Sequence, residues 1–362
     1  MELPERMRAL RQNMRDTGTD LLALGPGPNM HWVMGFHTHP DERPCLLLIT
    51  AENAGFLMPA LNAEDARARC DLPMWTWADA DGPRAALQLA LGSLRATTAR
   101  NAAVDETMRA DFALLLLDAL PQARHSFASD CLGPLRMCKS AAEQTELRRN
   151  AAIDDAAMLA AFAAIRPGMT ELDLADVVEQ TFKAHGAKPL FVIVGAGANG
   201  AYPHHHTGQT VLAEGDAVVI DIGARQGDFS SDLTRMAVIG TPPPDYDLVH
   251  AAVEAAVQAA LLAARPGVRA STVDRAARQV IDAAGFGQYF VHRTGHGMGL
   301  EGHEPPYIAQ AAETVLSEGM VFSIEPGIYL PGKFGVRLEE IVILHADGPE
   351  ILSKLPRGVV CK

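Results

Sequence analysis

The chain has 362 residues, 48% of them hydrophobic, and a formal net charge of −13; that length suits two domains better than one core. The acidic balance, with no long basic run, argues against a nucleic-acid partner, and apolar stretches such as residues 112–120 fall far short of a bilayer span, so no membrane association is expected. A charged, helix-like opening, MELPERMRALRQNMRD, and five scattered cysteines without a CxxC pair (Cys45, Cys70, Cys131, Cys138, Cys361) predict a cytoplasmic chain with reduced thiols.

Residues 5–15 read as an amphipathic helix, and residues 21–24, 45–49 and 55–58 as buried strands. Helices are expected over 83–94, with Pro83 tolerated in a first turn, and over 108–120. These elements predict an α/β domain of its own over residues 1–135. Ser140 with Glu143 fits a capping box that opens a long helix to residue 165. Residues 166–168 stop it, and Thr170 starts another helix that runs to 184. Beyond lie expected strands over 189–194, 217–222, 233–239, 320–324 and 336–344, with alanine-rich helices over 246–264 and 270–284. The mixture predicts a second domain of α+β class over residues 136–362, its acidic residues pointing into a cup.

Two motifs mislead. Gly195, Gly197 and Gly200 form a GxGxxG after an apolar strand, but AYPHHHTG follows and begins no helix that could hold a pyrophosphate. The stretch reads instead as a loop delivering a histidine. His303-Glu304 starts like HExxH, yet Pro305 and Pro306 exclude a helix interior and the second histidine is missing.

Five other residues form a series: Asp221, Asp232, His296, Glu325 and Glu339. Singly, each is an ordinary strand-edge or loop residue. Asp221, however, sits against VVI, where burying an unpaired carboxylate is costly, and a hairpin could bring it to Asp232. Four carboxylates and one imidazole are too oxygen-rich for structural zinc. They suit two hard or borderline divalent ions that share bridging carboxylates and a water, an arrangement for hydrolysis. Without cations the carboxylates would repel and take up protons; two divalent ions balance the four charges. A two-metal hydrolase, a peptidase, is therefore expected. His204, His292 and His303 sit where they could assist. Of the triple 204–206, His204 beside Pro203 is favoured, and His205 and His206 read as a solvated loop.

Together GANGAYPHH, DIGARQGDFSSDLTRM, HRTGHGMGLEGHEPP, SIEPGIY and GVRLEE resemble the Xaa-Pro peptidases of the pita-bread metallopeptidase superfamily, over about residues 140–350. PNMHWVMGF, residues 28–36, is similar to their N-terminal domain. The resemblance implies a pita-bread catalytic domain preceded by a smaller α/β creatinase/prolidase-type domain that serves substrate gating and dimerisation in a homodimer. It implies that Asp221 binds one metal, that Asp232 and Glu339 bridge both, and that His296 and Glu325 bind the second. Manganese is the commonest metal in such proteins; ligand type leaves cobalt and zinc open. The resemblance makes a metal-bridging hydroxide the nucleophile and Glu325 the proton shuttle. His292 and His303 would orient substrate and stabilise the tetrahedral intermediate, His204 would contact the residues at the scissile bond, and Arg337 would pair with a metal-bound carboxylate.

In many prolidases an arginine after the His-Glu-x-Pro stretch grips the dipeptide carboxylate; here Tyr307 holds that position. The charged turn GFHTHPDERP, residues 35–44, offers a replacement, with Arg43 for the substrate carboxylate and Asp41 or Glu42 for its ammonium, in cis or across a dimer. The expected function is metal-dependent hydrolysis of the Xaa-Pro bond in a small peptide, preferably a dipeptide. An Xaa-Pro aminopeptidase for longer peptides is the alternative, followed by a lyase or amidohydrolase for a small amino-acid-like osmolyte. The intact ligand set argues against metal-free creatinase-like members and against a peptide- or histone-binding module. The additional N-terminal domain argues against methionine aminopeptidases.

Overall fold

A computed structural model describes residues 3–362, and the chain divides into two compact units, Met1–Arg136 and Met137–Lys362. In the first unit a six-stranded sheet runs in the spatial order Met74–Trp77, Ala54–Pro59, Leu46–Ile49, Leu21–Leu24, Asn101–Val104, Arg124–Phe127. Leu21–Leu24 pairs antiparallel with Leu46–Ile49 and parallel with Asn101–Val104. Every residue of these two leucine-rich strands is buried, which is why they read as unbroken apolar runs and not as alternations. Helices Arg84–Ser93 and Ala110–Ala119 cover one face, through Leu87, Leu91, Phe112 and Leu116.

The second unit is built on two sheets. Ser140 caps helix Ala141–Ala164 through the expected box with Glu143, and Thr170 caps helix Glu171–Ala184 through a second box with Asp173. Both helices pack on a sheet ordered Val360–Cys361, Leu233–Val238, Ala217–Gln226, Lys188–Ala196. Ile220 and Ile222 meet Met158, Phe162 and Phe182 there, each buried aliphatic side chain contributing ~1.5–3 kcal/mol. Strand alternation turns Val219 and Asp221 to the other face. Val219 joins a second core, formed with helices Tyr246–Ala263 and Ala270–Ala283 and a sheet ordered Glu304–Ile308, Gly295–Gly297, Val321–Ile324, Glu340–His345, Gly348–Ile351. Helix Tyr246–Ala263 is long and apolar enough by length and composition to cross a bilayer; here Val249, Val253, Val257 and Leu261 pack into this core. All five cysteines are free.

The structure differs from expectation at residues 336–344. In place of one strand there are two: Phe334–Arg337 pairs with Gly327–Leu330 in a separate ribbon, and Glu340–His345 joins the second sheet. Between them the Glu339 backbone bonds sideways, its N–H to the Thr234 carbonyl at 3.3 Å and its own carbonyl to Arg235 Nη1. Glu339 thus sits at a break, where its side chain is free to turn away from both ladders.

Candidate metal centre

Asp221 lies within the long strand Ala217–Gln226, not at its end, and faces Thr234 across the antiparallel pair. Asp232 immediately precedes the partner strand, two residues before Thr234 and therefore on the same face. His296 occupies the middle of the three-residue strand Gly295–Gly297. A Cβ at Gly295 would run into the Ser323 carbonyl, and one at Gly297 into the Pro305 carbonyl, so the flanking glycines let neighbouring backbone close in around the histidine. Glu325 follows strand Val321–Ile324, and Glu339 occupies the break described above.

These five residues converge. Donor atoms of Asp221, Asp232 and Glu339 lie within 4.8 Å of one another, as do those of His296, Glu325 and Glu339. His296 Nε2 is 3.2 Å from Glu325 Oε1 and 3.8 Å from Asp232 Oδ2. Its Nδ1 contacts the Gly297 carbonyl at 3.1 Å; placing the proton there leaves the Nε2 lone pair aimed at the carboxylates. The Ser323 hydroxyl accepts from the His296 N–H at 2.9 Å and donates to Glu325 at 3.1 Å. Thr234 Oγ1 donates to Glu339 Oε2 at 2.8 Å and accepts from Arg337 Nε at 3.1 Å.

The donor set suits divalent cations. Asp221 Oδ1 and Glu339 Oε1 are buried with no hydrogen-bond partner among the described residues, a costly state for a charged oxygen unless a cation is supplied. Burial, and then the neighbouring carboxylates, push Asp232 and Glu339 well above the usual carboxylate range. Burial acts upward on Glu325 as well, but with no metal bound His296 can carry a second proton on Nε2 and donate to it, and that hydrogen bond with the charges of His296, His292 and Arg337 outweighs burial and brings this carboxyl to about 2. Oxygen-rich donors with one imidazole and too few protein cations fit two divalent ions.

A cavity of about 540 Å³ opens on this cluster, lined by all five residues with His204, His292, Arg293, His303, Arg337, Phe191 and Ile193. Arg337 is buried and donates to Asp221 Oδ2, the Tyr329 hydroxyl (2.9 Å) and the Pro203 carbonyl (3.3 Å). His292 Nδ1 meets the Arg293 carbonyl at 2.7 Å and its Nε2 the Tyr329 hydroxyl at 2.8 Å. Both of its nitrogens are engaged, and burial lowers its pKa. His303 instead packs against His296, ring centroids 3.8 Å apart; burial, then His296 and Arg293, lower it to about 4, so it is a neutral imidazole at physiological pH.

His204 is exposed on the cavity wall. His205, expected as solvated, bonds at 2.8 Å to the buried Glu171, which also takes the N–H groups of Ala196 and Gly208 and so ties down the glycine loop. Within the N-terminal unit Arg43 is held by Asp79 through two 2.9 Å bonds, by Asp41 at 3.2 Å and by Glu42 at 3.1 Å. Tyr307 is 40% exposed and lies beneath the Arg293 guanidinium, 4.4 Å from the ring centroid. Sequence reasoning passed over Thr234, Ser323, Tyr329 and Arg293. Thr234 had a signal, since it follows Asp232 at the two-residue spacing of one strand face.

The profile of metallopeptidase family M24 matches residues 145–346, and that of the creatinase/prolidase N-terminal domain matches residues 6–138. The chain is 39% identical over 352 residues to a probable dipeptidase, PepE, of Mycobacterium tuberculosis, covering 95% of this chain and 92% of that one. It is 31% identical over 358 residues to the Xaa-Pro dipeptidase of Pyrococcus horikoshii, covering 98% and 99%. The crystal structure of dipeptidase PepE from Mycobacterium ulcerans superposes with a TM-score of 0.93 at 37% identity, over 99% of this chain and 97% of that one.

Proposed function

The chain belongs to metallopeptidase family M24 and is a peptidase, and we propose that it hydrolyses Xaa-Pro dipeptides at the bond before proline. Its architecture is a pita-bread domain preceded by a creatinase/prolidase-type N-terminal domain. The observation that carries the reading is one cavity of dipeptide size that joins the acidic cluster to the Arg293 guanidinium and to His303, a neutral histidine.

Asp221, Asp232, His296, Glu325 and Glu339 would hold two divalent ions, with manganese our assignment and cobalt and zinc its competitors. When bound, the ions supply Lewis acidity to the scissile carbonyl and draw the pKa of water toward neutrality. Glu325 would take a proton from the attacking water and return it to the departing proline nitrogen. His303, neutral, would donate an N–H to the carbonyl oxygen as negative charge develops there. His204, with Phe191 and Ile193, would contact the residues on either side of the bond. Arg337 would hold Asp221 in place and, through Tyr329, fix His292, whose two engaged nitrogens suit it to positioning. Arg43 with Asp41 or Glu42 is the competing proposal for the two substrate termini, and a substrate carboxylate would have to displace a carboxylate already on Arg43. Homodimeric assembly belongs to the same proposal and is tested by sedimentation.

The deciding experiment strips the enzyme of metal, restores manganese and presents Ala-Pro and Ala-Pro-Ala in parallel. Cleavage of Ala-Pro alone is expected. Release of alanine from the tripeptide at an equal or higher rate would make the chain an aminopeptidase, and no cleavage of either would point to a substrate that is not a peptide.

A further inference from the structure

A dipeptide differs from a longer peptide by a free carboxylate one residue beyond the scissile bond. A site that prefers dipeptides therefore needs a cation to receive it. Two guanidinium groups line the cavity, Arg337 and Arg293. Arg337 is spent: it is buried, and its nitrogens already serve Asp221, Thr234, Tyr329 and the Pro203 carbonyl. Arg293 is not. It is half-buried, and no carboxylate pairs with it among the described residues. Its one polar side-chain contact, Nη2 to His303 Nδ1, is long at 3.4 Å. The guanidinium carbon lies 4.4 Å from the Tyr307 ring centroid, a cation–π contact that uses the face of the group and none of its N–H donors, and no hydrogen bond engages Nε or Nη1 among the described residues.

The backbone around Arg293 is also anchored. Its carbonyl meets His292 Nδ1, and the next residue, Thr294, gives both its N–H (3.0 Å) and its hydroxyl (2.8 Å) to the buried Asp274. A permanent cation is thus held three residues from His296, in an acidic cavity, with no carboxylate paired to it among the described residues. The Tyr307 ring offsets part of the cost of removing such a group from water, and a bound anion would offset the rest. Resting on the dipeptidase reading above, we propose that Arg293, stacked on Tyr307, receives the free carboxylate of the substrate and so sets the preference for dipeptides over longer chains.

The test compares Ala-Pro with its C-terminal amide on the manganese-loaded enzyme, wild type against folded Arg293→Ala and Arg293→Lys. In Arg293→Ala the ratio of kcat/KM for acid over amide should fall about ten- to a hundredfold, mainly through KM, as expected for a lost charge-assisted hydrogen bond. Arg293→Lys should fall between, and moving the cation next door in Arg293→Ala/Tyr307→Arg should recover much of the ratio. An unchanged ratio in Arg293→Ala overturns the assignment. A second arm measures binding of N-acetylproline and its amide by calorimetry, independently of turnover. If the wild type cleaves neither dipeptide nor amide, the dipeptidase reading fails, and this arm still decides on Arg293: carboxylate binding weakened by Arg293→Ala upholds it, and equal or absent binding in both proteins overturns it.

Discussion

Glu339 and Glu340 are neighbours, both acidic and both buried, at 2% and 1% exposure, yet their electrostatic settings are opposite. Glu340 Oε1 accepts from Arg235 Nη2 at 2.9 Å and Arg357 Nη1 at 2.8 Å, and Arg357 is held in turn by Glu254. Burial still lifts Glu340 above its ordinary value, against both guanidinium groups. Each glutamate leaves one oxygen without a hydrogen-bond partner among the described residues, but Glu339 turns the other way and has only Thr234 on its second oxygen, among Asp221 and Glu325. The adjacent strand is divided in the same manner, Thr234 serving Glu339 and Arg235 serving Glu340. One side of this pair of strands is neutralised by the protein itself. On the other side the charge balance requires cations that the chain does not supply.

That contrast predicts opposite responses to mutation. The largest effect should come from Arg235→Met, which leaves Glu340 with one cation fewer in a buried site and costs about 3–5 kcal/mol. Urea unfolding would measure it. Glu339→Gln should behave conversely. It should lower metal content and reduce kcat/KM by two to three orders of magnitude, on the order of losing one major electrostatic stabiliser. The metal-free protein, relieved of one like charge, should be as stable as wild type or about 1 kcal/mol more so. Equal destabilisation by both variants would abolish the distinction between the two settings.

The convergence of Asp221, Asp232, His296, Glu325 and Glu339 was legible in the sequence because each sits in a short strand-like stretch whose alternation fixes the face it occupies. The strands over 217–222, 233–239 and 320–324 were legible for the same reason, whereas no strand was expected around His296, where Gly295–Gly297 forms one. The break at Glu339 was not legible either, since residues 336–344 are apolar enough to read as one strand, and only the sideways bonds to Thr234 and Arg235 show where it divides. Thr234, Ser323 and Tyr329 are uncharged, so nothing in their chemistry marked them as relays between charged groups. The hydrogen bonds of His205 and Arg43 were hidden for a different reason: their partners, Glu171 and Asp79, are distant in sequence, and loop closure alone brings them together.

Asp154 sharpens the comparison at smaller scale. It is buried, accepts from Ser231 Oγ at 2.7 Å and leaves Oδ2 without a partner. Burial first, with Asp155 and Asp221 adding to it against the Ser231 bond, raises it well above its ordinary value. A carboxyl whose folded pKa is raised costs nothing below its unfolded value near 3.8 and progressively more as pH rises above it. Asp154→Asn, which keeps the acceptor, should therefore match wild type near pH 3 and be about 1–2 kcal/mol more stable at neutral pH. Thermal melts of the two proteins across that range would measure the difference, and a variant less stable at pH 7 would place Asp154 with the compensated acids.

The smallest effect should come from the opposite sign of shift. Glu350 receives Arg148 through two 2.7 Å bonds that tie helix Ala141–Ala164 to strand Gly348–Ile351. Those bonds, with His345 assisting and slight burial opposing, lower Glu350 to about 2. Because its folded pKa is depressed, its contribution is present above the unfolded value of 4.5 and is lost as pH falls toward about 2. Arg148 is 40% exposed and Glu350 30%, so solvent screens the pair and limits it to at most about 1 kcal/mol. Glu350→Gln should therefore be slightly less stable than wild type at pH 7 and equal to it near pH 2, the reverse of the slope expected for Asp154→Asn. The two variants make the same chemical change, a carboxyl to an amide, so opposite slopes would show that the protein's own cations, or their absence, decide what a negative charge does to this fold.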